Sequence, residues 1–365
     1  SYYFYYSFYI LIIILIIYFY YILYIRIYKL LEYIGVLMND SKNILYFEEE
    51  GISNNEIIVF IHSNLLSNWV WINQRDYFKD FHCIYLDLPN HGNSYFANEF
   101  SIETSSKIIK ELIQEKAYDS RNNNKIKKVN LVGVSLGGQI ALYLLSKYPA
   151  LVDNVIVSGV NLYEDPKKDD FNNVVSMMNI FKMDILDKKP NKFLIKALLA
   201  EYGLEKKYYE FIKESNEKIS IESFNSITKE SLKFKIPKIE NSKTKNKNNR
   251  KSKYKNNENN KYKNNKSNKK NSKNNNTNNK RDNNGENLLV LFGTKEYPKV
   301  KKSASLIKDI FNKAHVFGVY RSLHLWNIID YEWFNEVVKD FICNKSYNLN
   351  NKDYLIEDIY LEIYN

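Results

Sequence analysis

The chain has 365 residues, 44% of them hydrophobic and 26% charged, and a formal net charge of +11. This hydrophobic fraction is enough for one large core or two modest ones, which excludes a chain that is disordered throughout. Two cysteines, Cys83 and Cys343, are too few for a disulfide framework and lack the spacing of a zinc site, so we expect two reduced, buried thiols.

The positive charge is concentrated in one stretch. Residues 241–281 contain 13 Lys and 2 Arg against a single acid, Glu258, a net charge of +14 that leaves −3 for the rest of the chain. A slightly acidic body does not have the basic face of a nucleic-acid-binding domain. We therefore expect no specific nucleic-acid partner.

The first element in chain order is an apolar run over residues 2–25, YYFYYSFYILIIILIIYFYYILYI, which contains no charged residue. As a helix it is long enough to cross a hydrocarbon core of about 30 Å, and its tyrosines gather toward both ends as aromatic belts do. A buried core helix of this length would carry a polar stripe, and a signal peptide would be shorter and follow a charged region. We predict a single-pass membrane anchor and juxtamembrane helix over 1–42, and Arg26 and Lys29 favour a cytosolic body.

Beyond residue 42, short apolar runs alternate with helical patterns such as SIETSSKIIKELIQEKA and GGQIALYLLSKYP. Six runs have the length and near-continuous hydrophobicity of buried parallel strands. They are residues 57–61, 83–88, 129–134, 155–160, 288–292 and 316–320. This order predicts an α/β fold with a mainly parallel sheet and helices on both faces.

The stretch NLVGVSLGGQ, residues 130–139, places Ser135 between a predicted strand and a predicted helix. Three of the chain's 11 glycines, Gly133, Gly137 and Gly138, surround this serine. A serine at a sharp strand-to-helix turn has a strained backbone, and its neighbours must be small because other backbone passes close by. The Gly-x-Ser-x-Gly pattern in this context predicts a nucleophile elbow, with an ordinary strand-to-helix turn as the alternative.

Two segments interrupt the alternation of strands and helices. Residues 161–238, which contain three of the four Met, are predicted to form a helical cap over Ser135. The flexible thioether side chains of these Met suit irregular apolar ligands. The alternative role for them is ordinary packing of the cap on the rest of the protein. Residues 239–286, mostly Asn and Lys, have almost nothing apolar to bury and are predicted to be a disordered surface insertion. An electrostatic tether to anionic lipid or RNA is the functional alternative, and A/T-rich codon usage is the simpler cause.

Five motifs in order resemble those of the α/β-hydrolase superfamily, in the esterase and lipase type with a helical cap. VFIHSN resembles the oxyanion loop, with Ser63 where glycine is usual, and DLPNHGNS resembles the Asp-x-Pro-Gly-His-Gly-x-Ser loop, with Asn90 in place of the first glycine. GVSLGG is the elbow, LLVLFGTKEYP resembles the strand and loop that present the acid, and RSLHLWN resembles the loop that presents the histidine. The resemblance implies that residues 43–160 and 287–345 are two parts of one hydrolase core, followed by a tail over 346–365.

The resemblance also implies a catalytic triad of Ser135, Glu296 and His324, because the family order along the chain is Ser, acid, His. A serine hydroxyl is a poor nucleophile at neutral pH, so it needs a base within hydrogen-bond reach and a carboxylate that orients the base. Glu296 stands where the family more often has Asp, and Glu164 and Asp165 are the alternative acids.

Of the five histidines, only His324 lies in a loop after the last predicted strand. His82 and His315 lie in or beside predicted strands, where a structural role is expected, and His62 and His91 lie in the two family loops that precede the nucleophile. The backbone amides of Leu136 and Asn64 are the expected oxyanion hole, and we expect Ser63 to restrict its loop. The residues expected to shape the site are His62, Ser63, Gly133 and Gly137.

The function implied is a membrane-anchored serine hydrolase that cleaves carboxylic esters, with a lipid-like substrate such as a lysophospholipid or a monoacylglycerol, and without cofactor or metal. Epoxide hydrolases and haloalkane dehalogenases share the fold but use an aspartate nucleophile, and Ser135 argues against both. A thioesterase, an amidase or a carbon-carbon hydrolase would use the same triad. A non-catalytic, membrane-anchored binding protein is the alternative from another class, motivated by Ser63 and Asn90.

Deletion of residues 241–284 is expected to leave the melting temperature and the turnover of a soluble ester nearly unchanged, because long surface loops affect stability only weakly. The check is a thermal melt and an esterase assay on the shortened chain beside the full chain. A large loss of either quantity would show that the segment belongs to the fold or to the site.

Overall fold

The computed structural model describes residues 44–96, 98–119, 125–162, 192–217, 219–239, 285–344 and 353–357. The predicted anchor at 2–25, most of the predicted insertion and most of the C-terminal tail lie outside these residues. Within the part that is described, no helix has both the length and the apolar character needed to cross a membrane. The chain divides into two units, 1–44 and 45–365, and the fold below is that of the second.

A sheet of eight strands lies at the centre of this unit. In spatial order its strands are β1 (Phe47–Glu50), β3 (His82–Leu86), β2 (Ile57–Ile61), β6 (Val129–Val134), β7 (Val152–Ser158), β8 (Leu288–Gly293), β9 (His315–Val319) and β10 (Leu355–Glu357). The six inner strands pair in parallel, and the two edge strands pair antiparallel. Two short strands, β4 (Tyr118–Asp119) and β5 (Lys125–Ile126), form a separate antiparallel pair. The predicted mainly parallel sheet is confirmed.

The six inner strands correspond to the six predicted apolar runs, with bounds that shift by up to three residues. The run predicted at 155–160 begins earlier, at Val152, and ends earlier, at Ser158, because Gly159 turns the chain with a φ of 62°. The edge strand β1 was not predicted, since its sequence FEEE has no apolar run. In this strand, Glu49 Oε2 accepts a hydrogen bond from Lys116 Nζ at 2.7 Å, and Glu49 Oε1 lies 2.6 Å from His82 Nε2.

Helices cover both faces of the sheet, as predicted, because alternate strand residues point to opposite sides. In β2, Ile57, Val59 and Ile61 belong to one core, whereas Ile58 and Phe60 belong to the other. The helices with residues in the first core are α1 (Ile102–Lys116), α2 (Leu136–Lys147), α5 (Ile221–Lys233) and α6 (Pro298–Ile310). Those with residues in the second core are α3 (Lys192–Tyr202), α4 (Tyr209–Glu217), α7 (Trp326–Ile329) and α8 (Tyr331–Asn344).

Helices α3, α4 and α5 lie in the segment predicted to form a cap. Helix α4 packs against the loop that follows β2, where the Trp69 indole donates to Ser215 Oγ at 2.9 Å and the Asn216 amide side chain donates to Leu65 O at 3.0 Å. This part of the segment therefore contacts the carboxyl end of the sheet. The three methionines of the predicted cap fall at 177, 178 and 183, outside the described residues.

The expectation of two buried thiols holds for only one cysteine. Cys83 is buried in β3, whereas Cys343 is exposed near the end of α8. A helix on the surface of a sheet buries one side only, and in this last turn the neighbouring Phe341 and Ile342 occupy that side. The prediction for Cys343 was wrong.

Candidate active site

Ser135 lies between β6 and α2 in a strained backbone conformation. Its φ of 55° and ψ of −113° fall in a region that residues with a side chain rarely adopt. Its amide donates to Ser158 O of the neighbouring strand β7 at 2.8 Å. The turn therefore presents the serine at the carboxyl end of the sheet, and one strong backbone hydrogen bond holds it there.

The glycines around Ser135 are required for space. A Cβ on Gly137 would lie 2.1 Å from Ile61 O, and a Cβ on Gly133 would lie 2.5 Å from the carbonyl oxygen of Gly137. A Cβ on Gly138 would lie 2.4 Å from a methyl group of Val160. No side chain fits at these distances, so the first turn of α2 packs directly on the backbone at the ends of β2 and β6.

His324 and Glu296 form a close pair in the loops that follow β9 and β8. His324 Nδ1 lies 2.6 Å from Glu296 Oε2, and Glu296 Oε1 accepts from the Gly293 amide at 2.7 Å. The Glu296 side chain is only 3% exposed. Because both carboxylate oxygens of Glu296 make hydrogen bonds, the orientation of the carboxylate is fixed. The second ring nitrogen of His324, Nε2, lies on the side of the ring that faces away from Glu296.

The environment of His324 raises the pKa of its imidazole above the ordinary value. Burial acts in the opposite direction, since it disfavours the charged ring, but the charge of Glu296 and its hydrogen bond outweigh this effect, with a further contribution from Glu201. A base with a raised pKa accepts a proton more readily, and the neighbouring carboxylate stabilises the imidazolium that results.

The end of β7 brings Ser135 and the His324–Glu296 pair to the same place. Gly159 has a φ of 62°, and a Cβ on it would lie 2.7 Å from His324 Nδ1 and 3.1 Å from Glu296 Oε2. The preceding residue, Ser158, accepts the hydrogen bond from the Ser135 amide. Ser135 therefore contacts Ser158, and the His324–Glu296 pair lies beside the next residue, Gly159, although the three predicted residues lie far apart in sequence.

The loop after β2 is held by its own side chains. The Leu88 amide donates to His62 Nε2 at 2.8 Å, so Nδ1 carries the proton and donates to Ser63 O at 2.6 Å. Burial lowers the pKa of His62 to about 4, so the ring is neutral. The left-handed conformation in this loop falls on Leu65, with a φ of 62°, and not on Ser63. Asn64 Oδ1 accepts from the Leu65 amide at 2.8 Å, which fixes the orientation of this loop.

The loop DLPNHGNS is organised around the buried Asp87. Its carboxylate accepts from the amides of Asn68 at 2.7 Å and Asn93 at 2.8 Å. A Cβ on Gly92 would lie 2.3 Å from Asp87 Oδ2, which explains why this position is glycine. Asn90, in place of the family's glycine, has a φ of 62°, and asparagine is among the few residues that accept this conformation. The substitution therefore leaves the loop intact.

Two interactions near the predicted site involve residues that sequence reasoning did not single out. The indole of the buried Trp326 donates to Ser158 Oγ at 2.7 Å, which ties the His324 loop to the strand beside Ser135. The ring of Tyr202, at the end of α3, stacks on His324 with centroids 5.7 Å apart and planes at 19°. Tyr202 is one of 31 tyrosines, so composition and spacing gave no signal for it.

The remaining predicted residues are placed as follows. Leu136 is the first residue of α2, so its amide is among those that a helix leaves without an intrahelical acceptor. Gly133 and Gly137 line the turn described above. The alternative acids, Glu164 and Asp165, lie outside the described residues.

Comparison with known proteins gives a consistent result. A family model described as alpha/beta hydrolase fold matches residues 56–328. The chain is 32% identical to an AB hydrolase superfamily protein of Gibberella zeae over 112 residues, which are 30% of this chain and 36% of that protein. It is 34% identical to 2-succinyl-6-hydroxy-2,4-cyclohexadiene-1-carboxylate synthase of Yersinia enterocolitica over 106 residues, 29% of this chain and 36% of that protein. The chain thus spans about a third of the length of these curated relatives.

A solved structure extends the similarity in fold. A structure from work on carboxylesterases of Nitrososphaera gargenis superposes with a TM-score of 0.57, covering 84% of this chain and 97% of that chain. Its sequence identity to this chain is 14%, so the similarity is one of fold.

The substitution Glu296→Gln is expected to lower the pKa of the His324 imidazole below its ordinary value, because burial remains while the opposite charge is removed. The pKa can be measured by NMR titration of the histidine ring signals. Glu201→Gln is the matched control, since Glu201 contributes less, and it should lower the pKa by a smaller amount. An unchanged pKa in Glu296→Gln would contradict the pairing.

Proposed function

Because the chain belongs to the α/β-hydrolase family, whose model covers most of its length, we propose that it is a serine hydrolase that cleaves carboxylic esters. The observation that supports this proposal most is that two adjacent residues at the end of β7 contact its parts: Ser158 accepts from the amide of the strained Ser135, and Gly159 lies beside the His324–Glu296 pair. A serine, a base and an oriented carboxylate are the groups that acyl transfer through a serine requires.

In the proposed acylation step, Ser135 Oγ attacks the ester carbonyl carbon while its proton passes to His324 Nε2. The carbonyl electron pair moves to oxygen, and the backbone amides of Leu136 and Asn64 donate to the oxyanion that forms. When the bond to the alkoxy oxygen breaks, the proton on His324 passes to the leaving alcohol. Glu296 holds the ring in the required orientation and stabilises the imidazolium.

Deacylation repeats these steps with water in place of the serine. His324 takes a proton from water, which attacks the acyl carbon, and Ser135 leaves with that proton. The same residues act in both halves of the reaction, so the loss of one of them slows both. Turnover should rise with pH through the His324 pKa, since the neutral imidazole is the base.

Substitution of Ser135 by Ala, or of His324 by Ala, is expected to lower kcat for a p-nitrophenyl ester by roughly 10⁴- to 10⁶-fold with little change in melting temperature, because triad members act as a unit. Glu296→Gln should lower kcat by a smaller factor, because the base, His324, is still present. Steady-state kinetics on the full chain provide the measurement.

Glu164→Gln and Asp165→Asn are the matched controls for the acid, and both should retain turnover close to that of the wild-type chain. If either control abolished turnover while Glu296→Gln left it untouched, the assignment of the acid would be wrong. Full turnover in Ser135→Ala would show that Ser135 is not the nucleophile, and the absence of turnover from the wild-type chain would favour the alternative in which the fold serves binding alone.

We further propose that the substrate is lipid-like and that residues 2–25 anchor the protein in a membrane. The uncharged, Tyr-flanked sequence of this run supports the anchor, and the apolar, Met-containing sequence around 174–186 supports an apolar binding surface. An anchor would hold the body close to substrates that partition into the bilayer, such as a lysophospholipid or a monoacylglycerol.

The lipid proposal predicts that kcat/KM rises along a series of p-nitrophenyl esters from acetyl to palmitoyl, by up to several-fold per added carbon until the pocket is filled. The physical basis is that burying each methylene is worth about 0.8 kcal/mol. The series is measured with substrate in vesicles, on the full chain and on a variant without residues 2–25.

The variant without residues 2–25 should lose turnover of the long esters in vesicles and keep turnover of acetyl ester in solution. A maximum at acetyl or butyryl followed by a steep decline would contradict the lipid proposal. Equal turnover of vesicle-borne palmitoyl ester by the two proteins would contradict the anchor.

A further inference from the structure

Tyr202 contacts two parts of the proposed site. Its ring stacks on His324, and its hydroxyl faces the hydroxyl of Ser63 closely enough to affect the titration of the phenol. Ser63 follows β2, and His324 follows β9. In the sheet, β6, β7 and β8 lie between these two strands, and Ser135 follows β6, the strand next to β2.

The end of α3 holds Tyr202 in this position. The Leu204 amide donates to Leu199 O at 2.8 Å and the Gly203 amide donates to Ala200 O at 3.2 Å, which is the hydrogen-bond pattern of a Schellman motif. Gly203 adopts a φ of 64°, as this motif requires, and a Cβ on it would lie 2.5 Å from Leu323. The helix end therefore packs directly on the residue before His324.

Ser63 Oγ is a buried hydroxyl that lacks a hydrogen bond of ordinary geometry within the described residues. Buried polar groups in proteins are nearly always satisfied, so an unsatisfied one beside a reaction centre calls for a partner. A candidate partner is the phenol oxygen of Tyr202, whose titration Ser63 affects. A hydroxyl that donates to this oxygen favours the charged form, and Ser63 does lower the pKa of Tyr202 in part.

The phenol of Tyr202 keeps its proton at neutral pH. Burial, the largest effect, and the charge of Glu201 raise the pKa of Tyr202 to about 12 in spite of Ser63. The hydroxyl is therefore a hydrogen-bond donor. The neighbour of this hydroxyl is Ser63, and an oxygen of a bound substrate can accept the phenol proton.

Resting on the function proposed above, we propose that the Tyr202 hydroxyl is a third donor to the oxyanion of the substrate, beside the amides of Asn64 and Leu136. Ser63 Oγ donates to Tyr202 Oη and so turns the phenol proton toward the substrate. Tyr202 transfers no proton. The carbonyl electron pair moves to oxygen as the bond from Ser135 Oγ forms, the serine proton goes to His324, and the phenol O–H donates to the new anion.

This role predicts a loss in kcat with little change in KM, because a hydrogen bond to an oxyanion is stronger in the transition state than in the bound ester. Tyr202→Phe keeps the ring on His324 and removes only the hydroxyl. It should lower kcat by about 10- to 100-fold, the range for losing one hydrogen bond to a charged group. The rise of kcat with pH should occur over the same pH range as in the wild-type chain, because the stacked ring still covers His324.

A tetrahedral inhibitor gives a second readout. An alkyl trifluoromethyl ketone forms an oxyanion on the serine, and its inhibition constant should weaken in Tyr202→Phe by about the same factor as kcat/KM. Ser63→Ala should show a smaller loss, and the double variant should be no worse than Tyr202→Phe, because both changes act through one hydrogen bond. Tyr202→Leu also removes the ring that stacks on His324, so it should in addition shift the pH range over which kcat rises.

Tyr208→Phe is the matched control. Tyr208 stacks on Trp69 at 5.8 Å and lies in the same segment predicted to form a cap, after the end of α3. Its hydroxyl has no part in the proposed reaction, so turnover should stay at the wild-type level. A kcat for Tyr202→Phe within twofold of wild type, or a loss confined to KM, would overturn this inference. Esterase activity that is absent from the wild-type chain would overturn the proposed function, whereas activity that is lost in Ser135→Ala but kept in Tyr202→Phe overturns this inference alone.

Discussion

The direct contact between the first turn of α2 and the backbone at the end of β2 is the constraint on which the site depends. At Gly137 a methyl group would lie 2.1 Å from Ile61 O, so no other residue allows this approach. The contact forces a sharp turn at Ser135, whose φ of 55° is held by a hydrogen bond to Ser158. Strain of this kind persists only where surrounding structure fixes it, and here two neighbouring strands do so.

The parallel sheet then assembles groups that are distant in sequence. Parallel strands end at one edge, and in this chain β2, β6, β7, β8 and β9 each lead into one part of the proposed site at that edge. These parts are the predicted oxyanion loop, Ser135, the Ser158–Gly159 corner, Glu296 and His324. The hydrogen bond from Trp326 to Ser158 joins the loop after β9 to β7, and the stacking of Tyr202 on His324 joins that loop to α3.

Much of this arrangement follows from the sequence, for identifiable reasons. A strand buried on both faces must be apolar throughout, so the six inner strands were visible as apolar runs, and glycines crowded around one serine predicted the elbow. The edge strands were not visible, because β1 reads FEEE and β10 reads LIE and neither needs a fully apolar sequence. Tyr202 was not visible either, since its role depends on where α3 ends relative to the His324 loop. Asn90 was taken as a departure that motivated a non-catalytic alternative, and its left-handed backbone shows that asparagine suits the position.

The central claim, that Ser135 is a nucleophile activated by its neighbours, is tested most directly by locating a covalent adduct. The native chain is treated with a fluorophosphonate, digested and analysed by mass spectrometry, beside Ser135→Ala and the heat-denatured chain. The account predicts one adduct, on Ser135, in the native chain, and none in the variant or after denaturation. The absence of an adduct in the native chain, or an adduct elsewhere that persists in Ser135→Ala, would contradict it.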